Sequence, residues 1–235
     1  KKSFKLFARN DYGDKKFDYP FFDNLIDQNG ELINSFDKLL LRTGGNDGEY
    51  ALFRDPLADS LVDGLLDYQD YKEVILFLNG EYWGIYHLRE HMDENYVASH
   101  YNLKEKDINI IVYNPAGLES YAGDQDELKR FEDFMTFVDK EDMTNDENYN
   151  YVEDMLDIDN FIDYYITQMY INNVDWPSNN AKVWRYTGNA NSNEASDGKY
   201  RYLLYDTEFS FGLYTGASAA SHNYFEYLHA DTDEI

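Results

Sequence analysis

DWPSNNAKVWR, Asp175 to Arg185, and RYLLYDTEFSFG, Arg201 to Gly212, decide the architecture of this chain. Ala181 to Tyr186 and Tyr200 to Tyr205 read as paired strands, joined by Gly188 to Gly198, a loop rich in Asn, Ser and Gly. Asp175 and Asn180 precede this hairpin and Asp206 follows it. A hairpin returns to where it began, so residues 31 positions apart can converge at one end.

The elements upstream deliver the chain to that point. Asp159 to Val174 is the longest apolar-periodic run, a buried helix with Asp159 or Asp157 as its cap. Asp93 to His100 and Asp126 to Val138 read as helices and Asp107 to Tyr113 as a strand, while the acidic stretch Asp139 to Asn150 reads as a loop. Nearer the start, Lys2 to Ala8 and Lys38 to Arg42 are short strands, the second ending in a Thr43-Gly44-Gly45 turn. Leucines at helical spacing predict a helix from near Asp55 to Leu66, with Pro56 tolerated in its first turn. Glu73 to Leu78 and Tyr82 to Leu88 flank Asn79-Gly80, a strong hairpin signal. The pattern is α+β, with a β-rich unit over 1–90 carrying one helix and a second unit over 91–235 carrying the polar segments.

An Asp five residues before an Asn, then an Asp at a strand end before a Phe-rich turn, suits phosphoryl transfer. One carboxylate orients the attacking hydroxyl while an amide oxygen and another carboxylate hold magnesium. Protein kinases distribute these roles in this order. Asp175 fits the first role and Asn180 the second, with Asn179 its near-equivalent. Asp206 and Glu208, two apart, share a face on a continuing strand, and either or both can be the metal carboxylate. The plain alternatives are a turn Asp before Trp-Pro and solvated acids at a strand end.

The blocks LLLRTGGND (Leu39 to Asp47), FRDPLADSL (Phe53 to Leu61), VILFLNGEYWGIYHLREHMDENYV (Val74 to Val97), NNVDWPSNNAKVWR (Asn172 to Arg185) and YLLYDTEFSFG (Tyr202 to Gly212) together resemble the spore coat protein H (CotH) kinase family. The resemblance covers most of the chain, and NGEYWGIY and DWPSNN are its specific part. It implies an atypical protein-kinase-like fold of two lobes with a nucleotide cleft between them, ATP with Mg or Mn as cofactors, and transfer to a protein Ser or Thr. It also implies a location at a spore coat, a cell surface or outside the cell. His-Arg does not precede Asp175, and Glu208 stands where the family commonly has a second Asp.

Conventional kinases contact phosphate through a strand Lys paired to a helix Glu. Here the strand before the first helix ends in Arg42, so Arg42 and Lys2 are the candidate phosphate cations, against a reading as basic residues that solvate strand edges. Glu90 follows the second hairpin, where it can bind ribose hydroxyls or pair with a cation. No G-x-G-x-x-G, Walker, H-E-x-x-H or G-x-S-x-G motif occurs. His87 and His91, four apart, read as a satisfied surface pair rather than a metal site.

Composition bounds the partners. Twenty Lys and Arg against 46 Asp and Glu give a net charge of -26, which repels nucleic acid and anionic membrane and favours a basic protein partner. No Cys is present, so disulfides and thiolate metal sites do not arise, and no apolar run reaches membrane-span length. The chain opens without Met and reads as a fragment of something longer, so other modules of the same chain are further expected partners. A different class, a non-catalytic surface or binding module that keeps the fold, fits the acidic, Tyr-rich composition and the missing Gly-rich loop.

Overall fold

The computed structural model describes residues 2–226. In chain order the elements are β1 (Phe4–Phe7), β2 (Phe17–Asp18), β3 (Ser35–Phe36), β4 (Lys38–Arg42), α1 (Arg54–Ser60), β5 (Tyr71–Leu78), β6 (Glu81–Glu90), α2 (Glu94–Tyr101), β7 (Ile108–Asn114), β8 (Gly117–Ala122), α3 (Gln125–Lys140), α4 (Asp146–Met155), α5 (Ile158–Ile171), β9 (Ala181–Tyr186) and β10 (Arg201–Leu203). Helices and antiparallel sheets mix along the chain, as the α+β pattern predicts.

The first sheet has the order β1-β4-β6-β5. Alternation along its strands gives it two unlike faces. Phe4 and Leu6, Leu39 and Leu41, and Tyr86 and Leu88 form one face, covered by Phe22, Leu25, Ile33 and Phe36 from the preceding loops. The register sets Leu40 opposite both Lys5 and Arg89, and Arg42 opposite His87, so the other face carries cations. Burying that face demands acids, and α1 supplies Asp55 and Asp59 to Arg89.

The second sheet, order β10-β9-β7-β8, is packed on both sides. Ile108, Ile110, Trp184 and Leu203 meet Tyr96 and Val97 of α2. Ile111, Val183 and Tyr202 face Phe131 and Phe134 of α3, Val152 and Met155 of α4, and Tyr164 of α5.

Four local readings differ from the sequence expectations. Residues 139–150 are not a continuous loop: α3 runs to Lys140, and Asn145 caps α4 by accepting from the Glu147 amide at 2.8 Å. The first helix stops at Ser60 instead of Leu66, because tight turns close on the Val62 carbonyl and Gly64 is left-handed at φ 74°. β10 ends at Leu203 since the Leu204 amide leaves the ladder for the Asp67 carbonyl at 2.8 Å. His87 and His91 are not a surface pair, because His87 is buried beside Arg42 and His91 bonds Asp93 at 3.0 Å. The strands β2, β3 and β8 carry no sequence signal strong enough to predict them.

Candidate functional site

α5 delivers Asp175. It starts at Asp157, whose carboxylate accepts from the Asn160 amide at 3.1 Å, and ends at left-handed Asn172, φ 52°. Asn173 then turns inward, fully buried, donating to Gln168 Oε1 at 2.9 Å and accepting from the Asp175 amide at 3.3 Å. On the other side of Asp175, Trp176 is buried against Tyr165, ring centroids 4.8 Å apart. A backbone anchor and a core indole therefore fix the carboxylate between them. The Trp176–Pro177 peptide is cis.

Asn179 and Asn180 both donate their side-chain amides to Asp175 Oδ2, at 2.8 and 2.7 Å. Asp175 Oδ1 has no hydrogen-bond partner among the described residues. Asn180 adopts φ 56°, a conformation Asn tolerates better than most residues, and leads directly into β9.

Asp206 reaches the same place from the far strand. Lys182 opposes Leu203 at the end of the ladder, so Asn180 and Asp206 lie two and three residues beyond the last pair of the hairpin. Backbone bonds from Val174 to the Phe209 carbonyl (3.3 Å) and from Phe211 to the Ile171 carbonyl (2.8 Å) tie the two segments side by side. Burial first, then the nearby Asp206 carboxylate, push the Tyr205 phenol up.

Arg42 crosses to this cluster from β4. Its Nη2 donates to Asp206 Oδ1 at 2.9 Å and to Glu208 Oε1, and Nη1 lies 3.9 Å from Asp55 Oδ2. Burial alone would lower the Arg42 pKa, but these acids raise it and keep the group charged. Asp206 Oδ2 has no hydrogen-bond partner among the described residues, and the side chain is 30% exposed. Glu208 is different. It is buried, and its second oxygen accepts from the Asn46 amide at 2.7 Å. Gly45, left-handed at φ 45°, lies so close to the Glu208 carboxylate that a Cβ there has no room, which accounts for the Gly44-Gly45 pair. Burial pushes the Glu208 carboxyl up.

Behind Arg42 lies a closed ion network. Asp55 Oδ1 accepts from the Thr207 amide and hydroxyl, both at 2.8 Å, and its Oδ2 accepts from Arg89. Arg89 also donates to Asp59 at 2.5 Å. Burial would raise Asp55, yet Arg89 and Arg42 hold it down at about 2; burial dominates at Asp59, which is raised. Asp55 thus links α1 to the residue following Asp206.

Five sequence candidates fall into two bonded groups, Asn180 with Asp175 and Arg42 with Asp206 and Glu208, whose segments are tied by backbone bonds between residues 171–174 and 209–211. Two do not join them. Glu90 opposes Leu39 and so emerges on the other face of the sheet from Arg42, its carboxylate bonded to His100 at 2.8 Å and to the Asp70 amide at 3.2 Å. Lys2 is exposed before β1, holding the Tyr86 hydroxyl through its carbonyl at 3.1 Å. Sequence reasoning missed Asn173, Asp55, Thr207 and Arg89, whose pairings span up to 152 positions and leave no local pattern. It also missed Lys182, whose one signal is a Lys next to Val183 and Trp184 in a strand. Burial, above all, pushes the Lys182 ammonium down to about 8.

Among the described residues no three His, Asp or Glu side chains converge as a metal cage, and no helix is long and apolar enough to cross a membrane.

The class defined by fold and cluster is an α+β protein with a carboxylate, amide and guanidinium group gathered at the base of a hairpin. The family comparison is more specific: the model of the CotH kinase protein family matches residues 1–233, and the chain belongs to that family. No curated protein matches it.

Proposed function

We propose that this protein transfers the γ-phosphoryl group of ATP, with a divalent metal, to a Ser or Thr hydroxyl of a protein. Support comes from one observation above all: Asp175 has one oxygen fixed by two amides and the other without a partner among the described residues, in a segment bonded alongside the one that follows Asp206, which Arg42 bonds through its side chain. In a kinase-like reading residues 1–90 and 91–235 form two lobes with the nucleotide between them, and Arg42 of the first meets Asp206 of the second.

Asp175 Oδ1 accepts the proton of the acceptor hydroxyl and orients it. Asn180, whose amide nitrogen is committed to Asp175, offers its oxygen to the metal, and Asp206 Oδ2 is the principal carboxylate ligand. Glu208, with both oxygens engaged, acts as the clamp that holds Arg42 and the Gly45-Asn46 turn. Bound metal supplies charge neutralisation between the phosphates, and one or two carboxylates completed by phosphate oxygens and water suffice for magnesium. Arg42, held by Asp206 Oδ1 and Glu208 beside that carboxylate, would be the phosphate cation.

At a net charge of -26 the preferred acceptor is a Ser or Thr flanked by basic residues, a preference that fades as salt rises. The test pairs two measurements. ATP at about 100 times its Kd should stabilise the fold by about 2.7 kcal/mol only when magnesium or manganese is present. Labelled ATP should then mark a basic Ser-rich protein. Metal-dependent stabilisation without transfer to any acceptor, basic or acidic, identifies a nucleotide-binding module; absence of both removes the phosphoryl-transfer reading.

A further inference from the structure

Lys182, second residue of β9, is a buried cation without a counter-ion. It is 5% exposed, and its Nζ donates to the Met92 carbonyl at 3.0 Å. The same ammonium lies over the rings of Tyr121 and Tyr205, 4.4 Å from each centroid. No carboxylate lies within ion-pair distance of it among the described residues. The acids near enough to act on it electrostatically are otherwise engaged: Asp93 by Lys38 at 2.6 Å and His91 at 3.0 Å, Glu94 by Lys38 at 3.6 Å, and Asp206 by Arg42 at 2.9 Å.

A carbonyl dipole and two ring faces soften the burial of an ammonium but leave its full charge in place. A chain with 46 acids has ample means to neutralise a structural lysine, and a Met would fill the same space with no charge to bury. The position is also informative. Lys5, on the cationic face of the first sheet, is within electrostatic range of Lys182, and so is Asp206. Tyr205, which forms one wall of the ammonium's box, immediately precedes Asp206 in the chain, and Lys182 follows Asn180 by two residues.

We propose that Lys182 is a second phosphate-binding cation, contacting from β9 a nucleotide phosphate whose other side is met by Arg42. The inference rests on the phosphoryl-transfer reading above. A lysine that merely pins β9 to Met92 is the competing role, and the two differ in what removal of the charge does.

Wild type, K182M and K182R are titrated by calorimetry with ATP plus magnesium, with tripolyphosphate plus magnesium, and with adenosine, and their melting temperatures are recorded without ligand. K182M is expected to weaken ATP and tripolyphosphate by about tenfold or more, to leave adenosine unchanged, and to melt no lower than wild type. K182R should recover part of the phosphate affinity. Equal weakening of adenosine and ATP, a lower melting temperature with unchanged phosphate affinity, or wild-type binding by K182M overturns the assignment. If wild type binds neither ATP nor tripolyphosphate, the phosphoryl-transfer reading itself fails and takes the inference with it. If K182M does not fold, K182R decides: weakened tripolyphosphate affinity with unchanged adenosine affinity supports a phosphate cation at this position, and wild-type affinity for both opposes it.

Discussion

Asp55 and Asp175 are both carboxylates gripped by several donors, yet they are left in opposite conditions. Asp55 has both oxygens occupied, one by Thr207 and one by Arg89, and it is buried. Asp175 receives two amides on a single oxygen, and its other oxygen has no hydrogen-bond partner among the described residues. A buried carboxylate with both oxygens paired rigidifies a fold, whereas a fixed one with spare capacity suits a ligand. On the proposed function, the difference separates frame from chemistry.

The largest expected effect tests the open side. Asp175→Ala should reduce phosphoryl transfer by roughly 10²- to 10⁴-fold, the usual worth of a general base, while nucleotide affinity and melting temperature stay near wild type. Single-turnover assays with labelled ATP measure the first and calorimetry the second. Wild-type transfer by this variant would remove the distinction between the two carboxylates.

The closed side should respond in stability instead. Arg89→Met leaves Asp59 buried without its bonded counter-charge and Asp55 with Arg42 alone, a change of the kind that typically destabilises by about 3–5 kcal/mol. For a chain of this size the melting temperature should fall by on the order of 10 °C. Unchanged melting would show that α1 is held by something other than this network.

This contrast was only half legible in the sequence. The open residues lie at the two ends of one hairpin, so strand pattern and turn composition place Asp175, Asn180 and Asp206 together from local signals. Arg42 was legible as the cation ending a strand. The closed network was not, because Arg89 meets Asp55 34 positions away and Asp55 meets Thr207 152 positions away, contacts set by how α1 lies on the sheet. Glu90 misled for a related reason. Its place after a hairpin says nothing about which face it takes, and register with Leu39 turns it from Arg42. Helix ends were missed where a single cap decided them, as at Asn145.

Asp206 and Glu208 allow a finer division, since they share Arg42 but differ in exposure. Asp206→Asn should abolish the metal dependence of nucleotide binding and barely alter melting, because one of its oxygens is free. Glu208→Gln should do the reverse, costing about 1–3 kcal/mol of stability through loss of a charge-assisted bond to Arg42. Metal-dependent binding lost in Glu208→Gln and kept in Asp206→Asn would exchange their roles.

The smallest effect concerns a closed carboxylate outside the cluster, and it fixes what such a group contributes. Asp93 caps α2, accepting from the amides of Asn95 at 3.0 Å and Tyr96 at 3.3 Å, and its other oxygen takes Lys38 and His91. Burial alone would raise its pKa, but the bonds from His91 and Lys38 lower it to about 2. A folded value below the unfolded value of about 3.9 means the folded state holds fewer protons between the two. Asp93 therefore adds stability that is complete above about pH 5 and is lost as pH falls toward 2, of order 2 kcal/mol in all. Urea unfolding at pH 6, 4 and 3 should show wild type losing stability over that range, and Asp93→Asn, less stable at pH 6, losing correspondingly less. Parallel pH profiles for the two proteins would mean that Asp93 is not held in its charged form by Lys38 and His91.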